Sequence, residues 1–182
     1  MMSETKTTWI LEMASVEDFS PKRLDFPGLE VRQVARPSPH YSWFLHQAVG
    51  EDFRWGGRDQ WGRVEWTEWV NRPNLETWVA YLEGAPAGYS ELVREADGSV
   101  RIHHFGLLPG FIGIGLGGHF LTIVLEQAWE LGPTKVWLST CSHDHPHARK
   151  NYKARGFKLV EERSGPANEK RPPVIFTSGL GE

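Results

Sequence analysis

Four glycines stand close together between a short apolar run and a long amphipathic pattern. Glycine lacks Cβ, so such a loop can adopt positive φ angles and bring bare N–H groups against an anion. The helix that follows adds its free N-terminal donors and the positive end of its dipole. The spacing therefore predicts a phosphate-binding turn whose backbone donors belong to Gly113, Ile114, Gly115, Leu116, Gly117 and Gly118.

One interpretation of this loop is a dinucleotide site, because Gly113, Gly115 and Gly118 fit the G-x-G-x-x-G spacing. That fold needs a carboxylate at the end of the next strand, about 20 residues on, to hold the ribose. The next predicted strand, 135–140, meets no carboxylate before Asp144. A dinucleotide-dependent oxidoreductase therefore stays open as the weaker alternative.

A second motif follows, with Ala148, Tyr152 and Gly156-Phe157 on a predicted helix. Together with the loop Pro109-x-Phe-x-Gly-x-Gly-Leu-Gly, it resembles the GNAT acetyltransferase superfamily over residues 100–163. The resemblance implies acetyl-CoA as the acyl donor and direct attack by a primary amine of a small molecule or peptide. A non-catalytic acyl-CoA sensor is the alternative from the binding class.

The resemblance also implies where the donor lies. Two strands would splay apart between 105–107 and 137–138, leaving the backbone of Phe105 and Leu107 to bind the pantetheine amides. The chain departs from the family pattern at Ile112, where Arg or Gln is usual, and at His145, where many members carry Asn. His145 is nonetheless expected at the cofactor site.

Proton transfer needs an acid and a base. Tyr152 occupies the family's tyrosine position and is predicted to protonate the departing thiolate. A two-residue turn at 97–98 would pair Glu91 with His104 on one sheet face, where the carboxylate can orient the imidazole. A turn one residue longer would offer His103 instead, and water is a further candidate for the base.

Three of the nine tryptophans, Trp55, Trp61 and Trp66, are predicted to line an aromatic acceptor pocket, with core packing as the alternative. Nearby acidic residues would attract a cationic amine. A run of cysteine and histidine at 141–147 matches no standard zinc spacing, so no metal is expected.

The composition narrows the class of protein. The chain has 182 residues, 40% of them hydrophobic, a net charge of −3 and one cysteine. It shows no basic run for nucleic acid and no apolar run long enough for a membrane span. We expect one cytoplasmic acetyltransferase domain over 1–182, with residues 1–26 as an extension that adds one strand, and a homodimer is compatible with it.

The hydrophobic patterns predict an α/β (α+β) fold, with a mixed and mostly antiparallel sheet flanked by helices. Asp144 is predicted to cap the helix of the second motif. The predicted strands are 7–13, 28–34, 77–82, 87–93, 100–107, 135–140, 157–162 and 174–177. The predicted helices are 41–49, 59–71, 116–131 and 146–155.

Overall fold

A computed structural model describes residues 5–53, 55 and 57–167. The strands are β1 (Thr5–Met13), β2 (Leu29–Gln33), β3 (Leu75–Leu82), β4 (Ala85–Arg94), β5 (Val100–Leu107), β6 (Val136–Cys141) and β7 (Lys158–Pro166). The helices are α1 (Pro39–Gly50), α2 (Arg63–Val70), α3 (Leu116–Glu130) and α4 (Ala148–Ala154). The strand predicted at 174–177 lies outside the described residues.

The seven strands form one sheet in the order β2-β3-β4-β5-β6-β1-β7. Every neighbouring pair is antiparallel except β5 and β6, which are parallel. The main core lies between the sheet and α3, whose apolar face includes the fully buried Phe120, Leu121 and Leu125. This arrangement confirms the predicted mixed, mostly antiparallel fold.

The first strand is more than an addition at one edge. β1 lies between β6 and β7, paired with both, and its Leu11 and Met13 are fully buried in the main core. Residues 5–13 are therefore part of the sheet, whereas the sequence suggested an appended extension.

The strands β5 and β6 separate after a short paired segment. Only Val100–Ile102 pair with Val136–Leu138. Beyond this point β5 stays paired with β4 and β6 with β1, so a gap opens between them. The predicted separation is confirmed, although it begins at Ser139, because Trp137 and Leu138 are still paired with β5.

The turn between β4 and β5 differs from the prediction. Glu95 donates its N–H to the carbonyl of Ser99, which leaves three residues, 96–98, in the turn, with Gly98 at φ 81°. Without a further irregularity, this three-residue turn would pair Glu91 with His103. A β-bulge between Leu92 and Glu91 makes His103 the extra residue, so Glu91 faces His104 as predicted, for a different reason.

Two helices begin later than predicted. α2 begins at Arg63, because Gly62 precedes it and donates its N–H to the Glu65 carboxylate at 2.8 Å. α4 begins at Ala148 with His147 before it, and no side chain caps it. The predicted capping by Asp144 is wrong, because that carboxylate accepts hydrogen bonds elsewhere.

Within the described ranges, no helix combines the length and apolar character that crossing a bilayer would require.

Candidate active site

A cavity of about 900 Å³ opens where β5 and β6 separate. One wall is the end of β5, and the facing wall is the end of β6 with the start of α4. The glycine loop bounds it on one side of the sheet, and the segment between α1 and α2 bounds it on the other. The sites predicted for cofactor and acceptor therefore share one space.

The glycine loop has the predicted backbone. Gly113 and Gly115 have φ angles of 91° and 90°, values that L side chains rarely adopt. Gly115 is the residue before α3, and Gly117 and Gly118 lie in the first turn and line the cavity. Ile114 is 51% exposed and Leu116 is fully buried, so only their backbone N–H groups remain as candidate phosphate donors.

A segment before β2 crosses α3 beside this loop. Lys22 donates its N–H to the Thr122 hydroxyl at 2.8 Å, and Leu24 donates to His119 Nδ1 at 3.1 Å. These bonds place the Lys22 side chain against Gly118, and Lys22 lines the cavity.

Arg155, at the end of α4, is a second cation at the same place. The residue is only 9% exposed, and its Nε and Nη1 have no hydrogen-bond partner among the described residues. Nη1 lies 3.1 Å from the position that a Cβ on Gly118 would occupy. Neither cation has an ion pair among the described residues, so two positive charges and a helix N-terminus meet at one place, which is suited to a polyanion.

Tyr152 lies on α4 facing the cavity. Its ring packs against Phe105 and Phe157, and the residue is 7% exposed. Burial, with a smaller effect of the Asp144 carboxylate, raises the pKa of the Tyr152 phenol well above its ordinary value. The hydroxyl therefore keeps its proton at neutral pH.

On the other face, the bulge in β5 turns both His103 and His104 towards Glu91. His104 Nδ1 lies 3.0 Å from Glu91 Oε2, and His103 Nδ1 lies 3.9 Å from the same oxygen. The carboxylate is fully buried and forms a two-bond ion pair with Arg58, at 3.1 and 2.7 Å. A fourth donor, Trp69 Nε1, reaches Glu91 Oε1 at 3.1 Å.

These contacts fix the protons on the two imidazoles. An ionised carboxylate only accepts, so His104 Nδ1 must donate to Glu91, which leaves the lone pair on Nε2. A guanidinium only donates, and Arg58 Nη2 lies 3.2 Å from His103 Nδ1, so that atom accepts. His104 thus has the tautomer of a general base, and His103 carries its proton on Nε2.

The charge states agree with this assignment. Burial raises the pKa of Glu91, but the Arg58 charge and the His104 hydrogen bond outweigh it and hold the pKa well below its usual range. Burial and the Arg58 charge lower the pKa of His104. Burial and the neighbouring cations lower the pKa of His103 to about 2. Both imidazoles are therefore neutral at physiological pH.

The tryptophans predicted for the acceptor pocket divide into two groups. Trp55 and Trp61 line the cavity. Trp66 is fully buried, packs against His46 and Trp61, and does not line the cavity. The prediction of an aromatic acceptor pocket therefore keeps only Trp55 and Trp61. The Arg58 guanidinium lies over the rings of Trp61, Trp66 and Trp69 at 4.8, 5.2 and 4.2 Å.

Asp144 closes the cavity at the start of the second motif. Its Oδ2 accepts from the Thr140 hydroxyl at 2.6 Å and the Cys141 N–H at 2.9 Å, while Oδ1 accepts from Trp55 Nε1 at 3.3 Å. His145 lines the cavity beside it. The carboxylate thus joins β6 to the aromatic wall.

The described residues contain one set that could hold a metal ion, and it lies outside the 141–147 run. Ligand atoms of Glu91, His103 and His104 lie within 4.8 Å of one another. The Arg58 guanidinium already pairs with both carboxylate oxygens, so a divalent cation would have to displace a buried positive charge. The absence of a metal stays a prediction.

Several of these residues had no signal in the sequence. Arg58 follows a glycine pair, and Lys22 and Arg155 each lie close to other basic residues, so nothing in the sequence distinguishes them. Their relation to the site depends on packing between segments more than 30 residues apart, which spacing does not reveal.

The sequence profile of the Acetyltransferase (GNAT) family matches residues 42–157. The chain therefore belongs to this acetyltransferase family. No curated protein sequence matches it significantly.

Solved structures agree on the fold. A GCN5-related N-acetyltransferase from Kribbella flavida is 18% identical with a TM-score of 0.63, covering 87% of this chain and 56% of its own. One from Sphaerobacter thermophilus is 16% identical with a TM-score of 0.68, covering 93% and 53%. An aminoglycoside acetyltransferase from an uncultured soil metagenomic sample, in complex with sisomicin, is 16% identical with a TM-score of 0.55, covering 82% and 96%.

The chain spans little more than half the length of the first two of these proteins. At such identities the likeness concerns the fold.

Proposed function

We propose that this protein is an acetyl-CoA-dependent N-acetyltransferase that transfers acetyl to a primary amine by direct attack. The observation that supports this best is the shared cavity. An oriented, neutral His104 and a protonated Tyr152 open onto the same space as the glycine loop.

The donor's phosphates would lie at the glycine loop. Backbone N–H groups of 113–118 would bind the diphosphate, and Lys22 and Arg155 would supply the positive charge that Ile112 does not. The pantetheine would lie in the gap, with its amides against the backbone of Phe105 and Leu107, beside His145. Bound there, acetyl-CoA would supply the thioester carbon for attack.

The proton path uses this chain's own residues. His104 Nε2 takes a proton from the amine nitrogen as the new C–N bond forms. Glu91, buried behind the imidazole, acts as a positioning residue that holds the tautomer. The Tyr152 hydroxyl, which is protonated at neutral pH, donates a proton to the sulfur as the C–S bond breaks.

A thiol-release assay tests the proposal. Protein with acetyl-CoA and a panel of amino acids, polyamines, aryl amines, peptides and sisomicin should release CoA thiol with at least one class. Tyr152→Phe should lower kcat by about tenfold or more while acetyl-CoA affinity changes little. Acetyl-CoA binding without turnover on any amine would favour the acyl-CoA sensor, and stabilisation by NAD or NADP alone would favour the oxidoreductase.

A cytoplasmic location, a single domain and a homodimer stay predictions.

A further inference from the structure

The acceptor side of the cavity lies on one face of the sheet, opposite α3. On β5, Val100 and Ile102 point into the main core, so Arg101 and His103 point to the other face. The same alternation puts Ser139 on that face of β6, because Leu138 is buried in the core, and Lys6 and Thr8 on that face of β1. The residues on this second face, Arg101, His103, Ser139, Lys6 and Thr8, all line the cavity.

Arg101 is a partly satisfied cation on this face of the sheet. Its Nη2 donates to the Ser139 hydroxyl at 3.3 Å, and its guanidinium lies 4.6 Å from the centre of the Trp137 ring. Its Nε is buried with no hydrogen-bond partner, and it has no ion pair within the described part of the chain. Burial lowers the pKa of Arg101 despite the opposing effect of Glu95. The guanidinium is therefore held in place without an anion.

Most of the charged side chains that line the cavity are cationic. Its lining includes four cationic side chains and one carboxylate among the described residues: Lys6, Lys22, Arg58 and Arg101, against Asp144. Arg58 is neutralised by Glu91 from behind, and the Asp144 oxygens already accept three hydrogen bonds. Beside the histidine pair, Arg101 thus remains without an ion-pair partner among the described residues.

Apart from Asp144, no carboxylate of the described residues lines the cavity. Glu51, Asp52 and Asp59, which the sequence suggested for this role, are not part of the lining. Glu12 on β1 is bound to Lys135 at 2.6 Å. The cationic side chains of the lining would therefore repel a substrate with several positive charges. His103 and His104 are neutral and do not offset that repulsion.

From this charge distribution we infer that the acceptor is an amine bearing an anionic group, a carboxylate or a phosphate, which Arg101 binds. The inference rests on the proposed acetyl transfer for the role of the amine, whereas the anion site itself does not depend on turnover. Arg101 lies two residues before His103, about 7 Å along the strand, so the anion would lie several bonds from the reacting nitrogen.

The test compares acids with their amides. Glycine, β-alanine, 4-aminobutanoate and phenylalanine, 2-aminoethyl phosphate, and the amide of each carboxylic acid are titrated by calorimetry into the protein, with and without saturating CoA. At least one acid should bind about tenfold or more tightly than its amide, or 2-aminoethyl phosphate more tightly than all four amides, because a charged hydrogen bond is replaced by a neutral one. Sisomicin and spermidine should bind more weakly than that acid.

Variants separate the anion site from general damage. Arg101→Gln should abolish the preference for the anion, and Arg101→Lys should keep part of it. Arg94→Gln, an exposed arginine on the neighbouring strand, should leave it unchanged. Equal affinities for acid and amide, no measurable binding of any acid, or a preference that survives in Arg101→Gln would overturn the inference.

The thiol-release assay is scored separately. Thiol release that does not depend on the substrate's charge would contradict the anion site but not the acetyl transfer. Binding of acids through Arg101 without thiol release on any amine defeats the acetyl transfer alone.

Discussion

The two halves of the cavity are built in different ways. The proposed phosphate side combines the backbone of one continuous segment, 113–118, which includes the first turn of α3, with the side chains of Lys22 and Arg155. The acceptor side uses side chains from four separate elements, with Arg58, Glu91 and the histidine pair at its centre. Adding a side chain to the glycine loop should therefore weaken acetyl-CoA binding. Removing a side chain from the acceptor side should instead lower turnover or stability.

The largest expected effect comes from His104→Asn. The amide can still donate to Glu91, but the basic ring nitrogen is gone, so kcat should fall by about 10²- to 10⁴-fold with acetyl-CoA affinity unchanged. Steady-state kinetics and calorimetry measure the two quantities. His103→Asn is the matched control and should cost less; equal losses would assign the base to another group.

Glu91→Gln should lower the free energy of unfolding, because the acceptor side also stabilises the fold. It leaves the buried Arg58 guanidinium without a counter-charge, which costs on the order of 3–5 kcal/mol of unfolding free energy. Urea denaturation measures it. Adding Arg58→Met to Glu91→Gln should recover much of the loss, and a double variant no more stable than the single one would contradict this cause.

Gly117→Glu should affect the phosphate side without unfolding it. A Cβ at Gly117 would lie 3.6 Å from Leu107 Cδ1, an ordinary contact, whereas Gly115 has a φ of 90° and would be strained by any side chain. The added carboxylate should weaken acetyl-CoA binding by about 100-fold through repulsion of the phosphates. Gly117→Ala should bind nearly normally; similar affinity in both variants would refute backbone phosphate binding.

Lowering the pH should reduce the free energy of unfolding through the buried histidines of the acceptor side. The pKa values of His46, His103 and His104 are lowered in the folded state, first by burial, so below pH 6.5 the unfolded chain binds protons that the folded one does not. Stability should fall by about 1 kcal/mol per histidine between pH 7 and pH 5.5. Urea unfolding of His103→Asn at both values should show a smaller drop, and an identical drop would exclude that histidine.

The sequence predicted the backbone geometry of the glycine loop well because its signals are local, whereas phosphate binding there stays a prediction. Glycine spacing, the helix pattern after it and Tyr152 four residues before Gly156 follow from turn and helix geometry. The acceptor side was predicted in part. The pairing of Glu91 with His104 was found, but through a turn of the wrong length, since a β-bulge leaves no pattern in the residues.

Arg58 and Arg101 were missed for another reason. An arginine in an irregular segment or on a strand is usually solvated, and only the packing of α2 and β6 around these two removes them from water. Asp144 was placed as a helix cap because cap preferences are local, whereas its partners include an indole 89 residues away.

The position of β1 has a consequence for how the protein is made. Both of its partners come late in the chain, so its hydrogen bonds span separations as large as 157 residues, such as that between Thr7 and Ser164. Contacts so distant form slowly, and this strand must wait, unpaired, while most of the polypeptide is synthesised. Fusion partners placed before Thr5 would therefore act on the last step of sheet closure, and we expect yields to depend on which end carries the tag.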